Sequence, residues 1–542
     1  MLSPASPGTV PSRTPIAASA TGDGAALNSS RRDAAAGAIR CPRAAWRAEL
    51  LGYAAAAALA LIVVAHAATT QAWLMFEDAD SLVVVLVQRS LAVGQPQDWA
   101  MSPVLFLPEI GLYLALSLLG LTTRETLVLN AVVNLVALYA AIRLVAGSRK
   151  NHGRPVLTAL AAFTTFCGLA LLDGGPGRSG FQLASLVTTT TYYAATVIAG
   201  VVAIGLVRRA FDRPARVRRH AWPLGAVVTV STLSNPLFAA WVTVPALVAL
   251  GIVVLLKAGA ARTTTALAAA LLTGTALGYL ARTPLARFVV ADPDNYLRPN
   301  RWAASLEYYA GQLATTPRSL TGALSLEITV ACFVVCAAVA LVALHRGLTG
   351  AAVVGLVGVV SPLATLVGAA AMGTEADRYL QPWVFLPVLA IVVADDFLWP
   401  PPWQRDIRFG TVTAGLFLMG TAALALPPTV RAATSSDPDL QCVVNWIDNS
   451  RAVGAGQFWS VRAAKAYVAD PRSLVQVDYQ LHPYDWLVNR EDHTGTVSFL
   501  LQDAHTQNFE LPHSISAGHI RHLECGRYTI LDLPPSSVSR GR

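Results

Sequence analysis

Apolar residues in this chain gather into blocks instead of alternating with polar ones. Runs occur at about 51–68, 103–121, 126–146, 155–172, 186–207, 223–256, 263–281, 326–344, 351–372, 383–398 and 410–427. Most hold about 16 to 22 residues, the length a helix needs to cross roughly 30 Å of hydrocarbon. In a bilayer only helices or closed barrels satisfy their backbone groups, and barrel strands would alternate with period two. The pattern predicts an all-α polytopic membrane bundle of about eleven to thirteen membrane segments.

Two runs are irregular. The 223–256 run is long enough for two helices, and Ser234-Asn235-Pro236 predicts the break, because proline biases the residue before it towards an extended conformation. The 103–121 run opens on Pro103 and carries Pro108 and Glu109 early. That predicts a re-entrant or interfacial piece, with 223–256 crossing twice. The pattern changes after about residue 428. Stretches such as Ser473-Leu474-Val475-Gln476-Val477-Asp478-Tyr479, and the closing Tyr528-Thr529-Ile530-Leu531-Asp532-Leu533, predict a small α/β or β-rich C-terminal domain.

Composition agrees. Of 542 residues 54% are hydrophobic and 13% charged, and the mean hydropathy is +0.50. A soluble domain carries about twice that charged fraction. The net charge of +8 does not point to nucleic acid. The arginines sit in short loops (148–154, 208–220, 257–262, 345–346 and 405–408), as in cytoplasmic loops that orient a membrane protein. The leader, residues 1–47, is rich in Ser, Ala, Pro and Arg and precedes the first apolar run by too much for a cleaved signal. It is expected to be a disordered cytoplasmic tail, held inside by Arg31, Arg32, Arg40, Arg43 and Arg47. The expected organisation is then a transmembrane region 48–427, with outer loops at 69–102, 173–185, 282–325 and 373–382, and an extracytoplasmic domain 428–542. Cys442 and Cys525, one at each end of that domain, predict a disulfide in an oxidising compartment.

Candidate chemistry follows the first helix, in Trp73-Leu74-Met75-Phe76-Glu77-Asp78-Ala79-Asp80-Ser81. Carboxylates crowded against a membrane surface can act as general base or bind a divalent cation (magnesium or manganese), and a solvated acidic loop stays open as the plain alternative. The next stretch, Leu82 to Val87, is too short to span and predicts a helix lying on the membrane. Thr188 to Thr191 with Tyr192-Tyr193 begin a later helix near the same face, as an acceptor cleft or as helix packing. Phe458-Trp459, Tyr484 and Trp486 are either core aromatics or platforms for sugar rings. Asn130 and Asn134 are expected to pair across helices.

In this arrangement the chain resembles the GT-C class of membrane glycosyltransferases. Asp78-Ala79-Asp80 matches that class's Asp-x-Asp motif in the first outer loop, Glu77-Asp78 its paired form, and Arg378-Tyr379-Leu380-Gln381-Pro382 is similar to its Arg-Tyr-x-x-Pro element before a late helix. The resemblance implies transfer of a sugar from a polyprenyl-phosphate carrier to an extracytoplasmic glycan, lipid or protein acceptor. It implies Asp78 as base, Asp80 or Glu77 orienting the acceptor or a cation, and a phosphate met by Arg378 beside Tyr379, or by Arg298 and Arg301 in the long loop. The chain departs from the class in showing no basic residue beside the acids except Arg89. Two other readings remain open: a transporter or flippase of a lipid-linked polar substrate, which would show internal repeats and midplane charges that the sequence lacks, and a membrane scaffold with an outer interaction domain.

Overall fold

The computed structural model describes residues 42–147, 154–174, 181–290, 298–394, 407–493, 496–504, 506–512, 519–534 and 538–539. The leader through Cys41, Asp292 and Asp294 of the long loop and the Asp395-Asp396 pair lie outside the described residues.

Among the described residues each apolar run contains helix, and the protein is a multi-pass helical membrane protein. Among the described residues eight helices are long and apolar enough to cross a bilayer, and three shorter apolar helices accompany them, Val83–Ala92, Leu107–Ser117 and Ala239–Leu255. The 223–256 run breaks where proline demands it. Helix Val217–Ser234 stops, Asn235 is extended at φ −141°, and the chain resumes through a π-turn at Ala239–Thr243 into Val244–Leu255. The 103–121 run makes only the helix Leu107–Ser117, with proline in its first turn. Its 11 residues reach about 16 Å, half the hydrocarbon thickness.

The helix ends sort into two clusters. At one end Arg208 Nη1 donates to Val145 O (2.7 Å), Arg209 Nε to Leu144 O (2.9 Å), and the Thr349 hydroxyl to Ala258 O. Arg213, Arg216, Lys257 and Arg346 belong to the turns at this end, and Arg218 and Arg219 to the start of helix Val217–Ser234. At the other end Asp80, Tyr192, Asn235, Tyr279, Met372 and Arg378 surround one cavity. Helix Val217–Ser234 therefore runs from the basic end to the cavity end, and Ala239–Leu255 runs back.

Past helix Ile407–Thr434 the chain forms a mixed sheet in the order Leu474–Gln476, Gly454–Gly456, Phe499–Asp503, Tyr528–Asp532, Arg521–Cys525. The first three strands are parallel and the last two antiparallel. Alternation around Ser473–Tyr479 predicts one wet face, yet Leu474, Val475 and Gln476 are all buried. The parallel strands are packed beneath helix Phe458–Tyr467, while helix Pro438–Ser450 lies against the antiparallel pair. Helix Val83–Ala92 also differs from expectation. Val83 to Val87 are buried in protein, with Phe458–Tyr467 and Leu107–Ser117 against the helix, so this stretch is covered by protein and not by lipid.

The C-terminal region does not stand apart from the bundle. Residues from Gly52 onwards form one compact unit. Trp99–Ala100 of the first long loop pairs antiparallel with Val488–Asn489, and Arg490 Nη1 meets Asp98 at 3.2 Å. The disulfide Cys442–Cys525, closing 83 residues, ties helix Pro438–Ser450 to the last hairpin. Chain entropy puts a loop of that length at about 4.5 kcal/mol. Replacing both cysteines by serine should lower the unfolding temperature of the full chain in detergent, and in the unsubstituted protein both thiols should label only after reduction. Equal unfolding temperatures would show that the tie contributes nothing.

Candidate functional site

Helix Ala72–Phe76 ends at Glu77, and residues 77–82 turn sharply into Val83–Ala92. Asp78 closes the turn, its Oδ2 accepting the Ser81 N–H at 3.0 Å, the local bond by which a short acid reverses a chain. Four carbonyls at and just before the turn are met from distant elements. Phe76 O accepts the Tyr467 hydroxyl (2.7 Å), Ala79 O accepts Arg462 Nε–H (2.8 Å), and Asp80 O and Ser81 O accept the hydroxyls of Thr191 and Thr190. The threonine run thus clamps the acidic turn. Asn134 holds that run from behind, with Nδ2 3.2 Å from Val187 O and 3.4 Å from Thr189 O.

The three acids point three ways. Glu77 is buried and paired with Arg527 of the last hairpin, with Arg124 at 3.9 Å on its other oxygen. Burial pushes its carboxyl above the usual carboxylate range, and Arg527 opposes that shift. Asp78 is 1% exposed, is not among the residues facing the cavity, and receives the Tyr192 hydroxyl at 3.0 Å. Burial, then the charges of Asp78 and Asp80, holds that phenol well above its ordinary pKa. Asp80 alone opens into the cavity, and its Oδ2 lies 3.5 Å from Arg378 Nη1. Arg378 sits on the 3-10 turn Asp377–Leu380 between the rings of Tyr192 and Tyr379, 5.9 and 5.7 Å from their centroids. Gln381, fully buried, braces the turn by donating to Tyr192 O (3.0 Å) and Arg378 O (3.2 Å). The Arg378 Nε has no hydrogen-bond partner among the described residues.

The cavity holds about 780 Å³. On the bundle side its wall is chiefly apolar, with Leu237, Trp241, Ala364, Gly368 and Met372. On the C-terminal side it is aromatic and amide-bearing, with Trp459, Tyr479, Tyr484, Trp486, Gln457 and Gln507. Asp80 and Arg378 lie on the same cavity.

Of the residues the sequence singles out, Tyr379 joins this cavity, but Arg298 and Arg301 do not. Arg301 is at the surface, bonded to Glu375 at 2.7 Å. Arg89 reaches Val468 O and Ala469 O, away from the acids. The most consequential cation escapes the sequence. Arg462, 1% exposed, donates to Ala79 O from beneath the Phe458 ring (4.9 Å) and also to Leu487 O. Burial pulls its guanidinium down to about 10, against the raising effect of Asp80, Asp78 and Asp492. Its signal, an Arg four residues after Phe458 on a helix, is common and names no partner 383 positions away.

Asp80 is the carboxylate left to meet a divalent cation, since Glu77 and Asp78 are turned to protein donors and Asp80 itself faces a guanidinium. Such an ion would take its other oxygen ligands from water and substrate. Among the described residues no group of three or more His, Cys, Asp or Glu side chains is assembled as metal ligands.

No family model and no curated protein matches the chain. Among solved structures it is similar to the crystal structure of the Archaeoglobus fulgidus oligosaccharyltransferase in complex with zinc and sulfate. Identity is 10%, the TM-score is 0.41, and the overlap covers 82% of this chain and 68% of that one. An overlap that loose carries no weight on chemistry, which rests on the side chains themselves.

Two substitutions test this geometry. Arg462→Met removes the donor to Ala79 O while keeping bulk, leaving a buried carbonyl unpaired at about 1–3 kcal/mol. Amide exchange across 77–82 should accelerate, and unchanged exchange would show that Arg462 does not hold the turn. Arg527→Ala removes the cation opposing the raised pKa of Glu77, which should rise further. A carboxyl whose folded pKa exceeds its unfolded value favours folding when protonated. The variant's stability deficit should therefore be smallest in acid and grow as the pH rises through the folded pKa of Glu77, as read by thermal unfolding against pH. A deficit independent of pH would clear Glu77 of the role.

Proposed function

We propose that this chain is a membrane glycosyltransferase that moves a sugar from a polyprenyl-phosphate carrier to an acceptor hydroxyl. The observation that supports this most is the Asp80–Arg378 pair opening into a cavity with one apolar and one aromatic, polar wall. A lipid-linked sugar has the same three parts in the same order, with a phosphate between hydrocarbon and saccharide. The cavity end is proposed to be extracytoplasmic. The basic turns at the opposite end support that orientation, and so does the disulfide of the C-terminal region.

In this reading Asp80, not Asp78, is the base. Its carboxylate takes the proton of the acceptor hydroxyl as the oxygen attacks the anomeric carbon. A carbon–oxygen bond forms there while the bond from that carbon to the phosphate oxygen breaks, and the electron pair leaves with the phosphate. Arg378 meets the charge on the leaving group with its two-pronged guanidinium, the geometry that suits phosphate. Asp78 and Tyr192 keep the Asp80 backbone in place. A transporter would need this pair to release its cargo across the bundle, and a scaffold would have no use for a carboxylate and a guanidinium sharing a cavity.

The test is transfer from radiolabelled polyprenyl-phosphate sugars by the full chain in nanodiscs. Asp80→Asn should lower turnover by about two to four orders of magnitude with normal membrane insertion. Asp78→Asn should lose far less, because the amide oxygen still accepts from Ser81 N–H and Tyr192. Arg378→Ala should raise the donor KM, with partial rescue by Arg378→Lys. Near-normal turnover in Asp80→Asn would remove it as base, and no donor consumption by the unsubstituted protein with any sugar would end the transferase reading.

A further inference from the structure

The C-terminal wall of the cavity has features that sugar transfer alone does not require. Trp459, Tyr479 and Tyr484 are 36%, 36% and 43% exposed, in a region whose other large apolar side chains are largely buried in the sheet core. All three face the cavity, as does Trp486. Their placement is fixed from below. The Phe458 ring, itself 8% exposed, stands edge-on to Trp459 at 4.8 Å and to Tyr484 at 6.4 Å. Phe458 in turn covers the guanidinium of Arg462, which holds the acidic turn.

Polar groups at this wall are equally fixed. The Gln457 amide is held by both backbone groups of Gln507, donating to the carbonyl at 2.6 Å and accepting the N–H at 3.2 Å. Asp478 Oδ1 accepts the N–H groups of Gln480 and His482, both at 2.9 Å. Its other oxygen faces His482 Nδ1 at 3.4 Å and keeps lone pairs to spare.

We propose that this wall is a saccharide-binding platform, and that the acceptor is a neutral glycan read by the C-terminal region. The proposal rests on the transferase reading for the word acceptor, but not for the binding itself. A sugar ring offers one face of C–H groups, which an aromatic plane covers, and a rim of hydroxyls, which an amide and a carboxylate can take in pairs. A lipid tail would need aliphatic side chains, and those that line the cavity, such as Leu237, Ala364 and Met372, lie on the bundle side instead. Asp478 is the only charged side chain that the C-terminal region brings to the cavity among the described residues. Its charge repels uronates and phosphates, so the glycan is neutral. The platform and Asp80 line the same cavity, so an acceptor bound on the platform shares the space into which Asp80 opens.

Saturation-transfer NMR on the full chain in nanodiscs tests this, with neutral gluco-, galacto-, manno- and arabino-oligosaccharides as probes and an acidic oligosaccharide and a hexapeptide as competitors. At least one neutral probe should bind, displaced by neither competitor. Trp459→Ala and Tyr484→Ala should each weaken it about tenfold, or about 1.4 kcal/mol. Tyr484 is open enough that its loss leaves the core intact, so Tyr484→Ala keeps the test valid if Trp459→Ala unfolds. Binding by no neutral probe, preferential binding of the acidic probe or peptide, or unchanged affinity in Tyr484→Ala overturns the platform. Donor consumption by the same preparation separates the two ideas. Donor consumed with no oligosaccharide bound removes the platform alone. Oligosaccharide bound with no donor consumed removes the transferase alone.

Discussion

Four carbonyls in a row of six residues, at 76, 79, 80 and 81, depend on distant side chains for their hydrogen bonds. At a membrane surface inside a protein that is an expensive condition to leave unmet, because an unpaired buried carbonyl is penalised nearly as much as a lost hydrogen bond. The chain resolves it with side chains: two threonines from one helix entrance, and an arginine and a tyrosine from one helix of the C-terminal region. Each donor is set by its own surroundings. The acidic turn can therefore exist only when bundle and C-terminal region are both folded around it. The direction of Asp80 follows, since Asp78 and Glu77 are consumed in fixing the turn and the remaining acid is left to the cavity.

This constraint explains why the C-terminal region resists being read as a separable domain. A boundary near 428 falls inside helix Ile407–Thr434, and the composition does change after it. Yet the region contributes a strand partner to the first long loop, the cation for Glu77, the donor for Ala79 O and one wall of the cavity. The disulfide fits the same scheme. Cys525 immediately precedes Gly526, at φ +62°, and Arg527, so the bridge to Cys442 fastens the hairpin turn that delivers Arg527 to Glu77. A side chain on Gly526 would collide with Asp439, whose carboxylate receives the Arg527 N–H at 3.0 Å.

Much of the bundle was legible because its cause is local. Hydrophobic length makes helices, and prolines at 103, 108 and 236 shorten or break them. The pairing of Cys442 with Cys525 was legible by position and chemistry together. The site was legible only in kind. Three acids and Arg378 could be found, but which acid faces the cavity depends on Tyr192, Arg527 and Arg124. Nothing in Glu77-Asp78-Ala79-Asp80 distinguishes the carboxylate that closes a turn from the one left over. Arg298 and Arg301 failed for the converse reason, because a polar, arginine-bearing loop looks alike whether it faces a cavity or bulk water. The Val83–Val87 stretch misled because apolar residues at a membrane surface can be covered by protein as readily as by lipid.

In the proposed reading, the charges around the turn would give a physical reason for meeting a phosphate with arginine. Asp78 and Asp80 are faced by Arg378 in front and by Arg462 behind, so the turn is formally balanced before any substrate arrives. A carboxylate pair without those cations would repel an incoming phosphate, and a mobile ion would have to enter with it. Here Arg462 is buried and its position fixed, so its field acts on the turn without occupying the cavity. Arg378 is one-third exposed and can shift its remaining donors to a new anion while staying near Asp80. Such an exchange asks little rearrangement of the protein, because the guanidinium is already held between two rings and its backbone is already braced by Gln381. Preorganisation of this kind stabilises developing charge most where water is scarce. In the proposed reading, the apolar side chains that helix Thr349–Ala371 brings to the cavity, Ala364 and Ala369 among them, would serve that end.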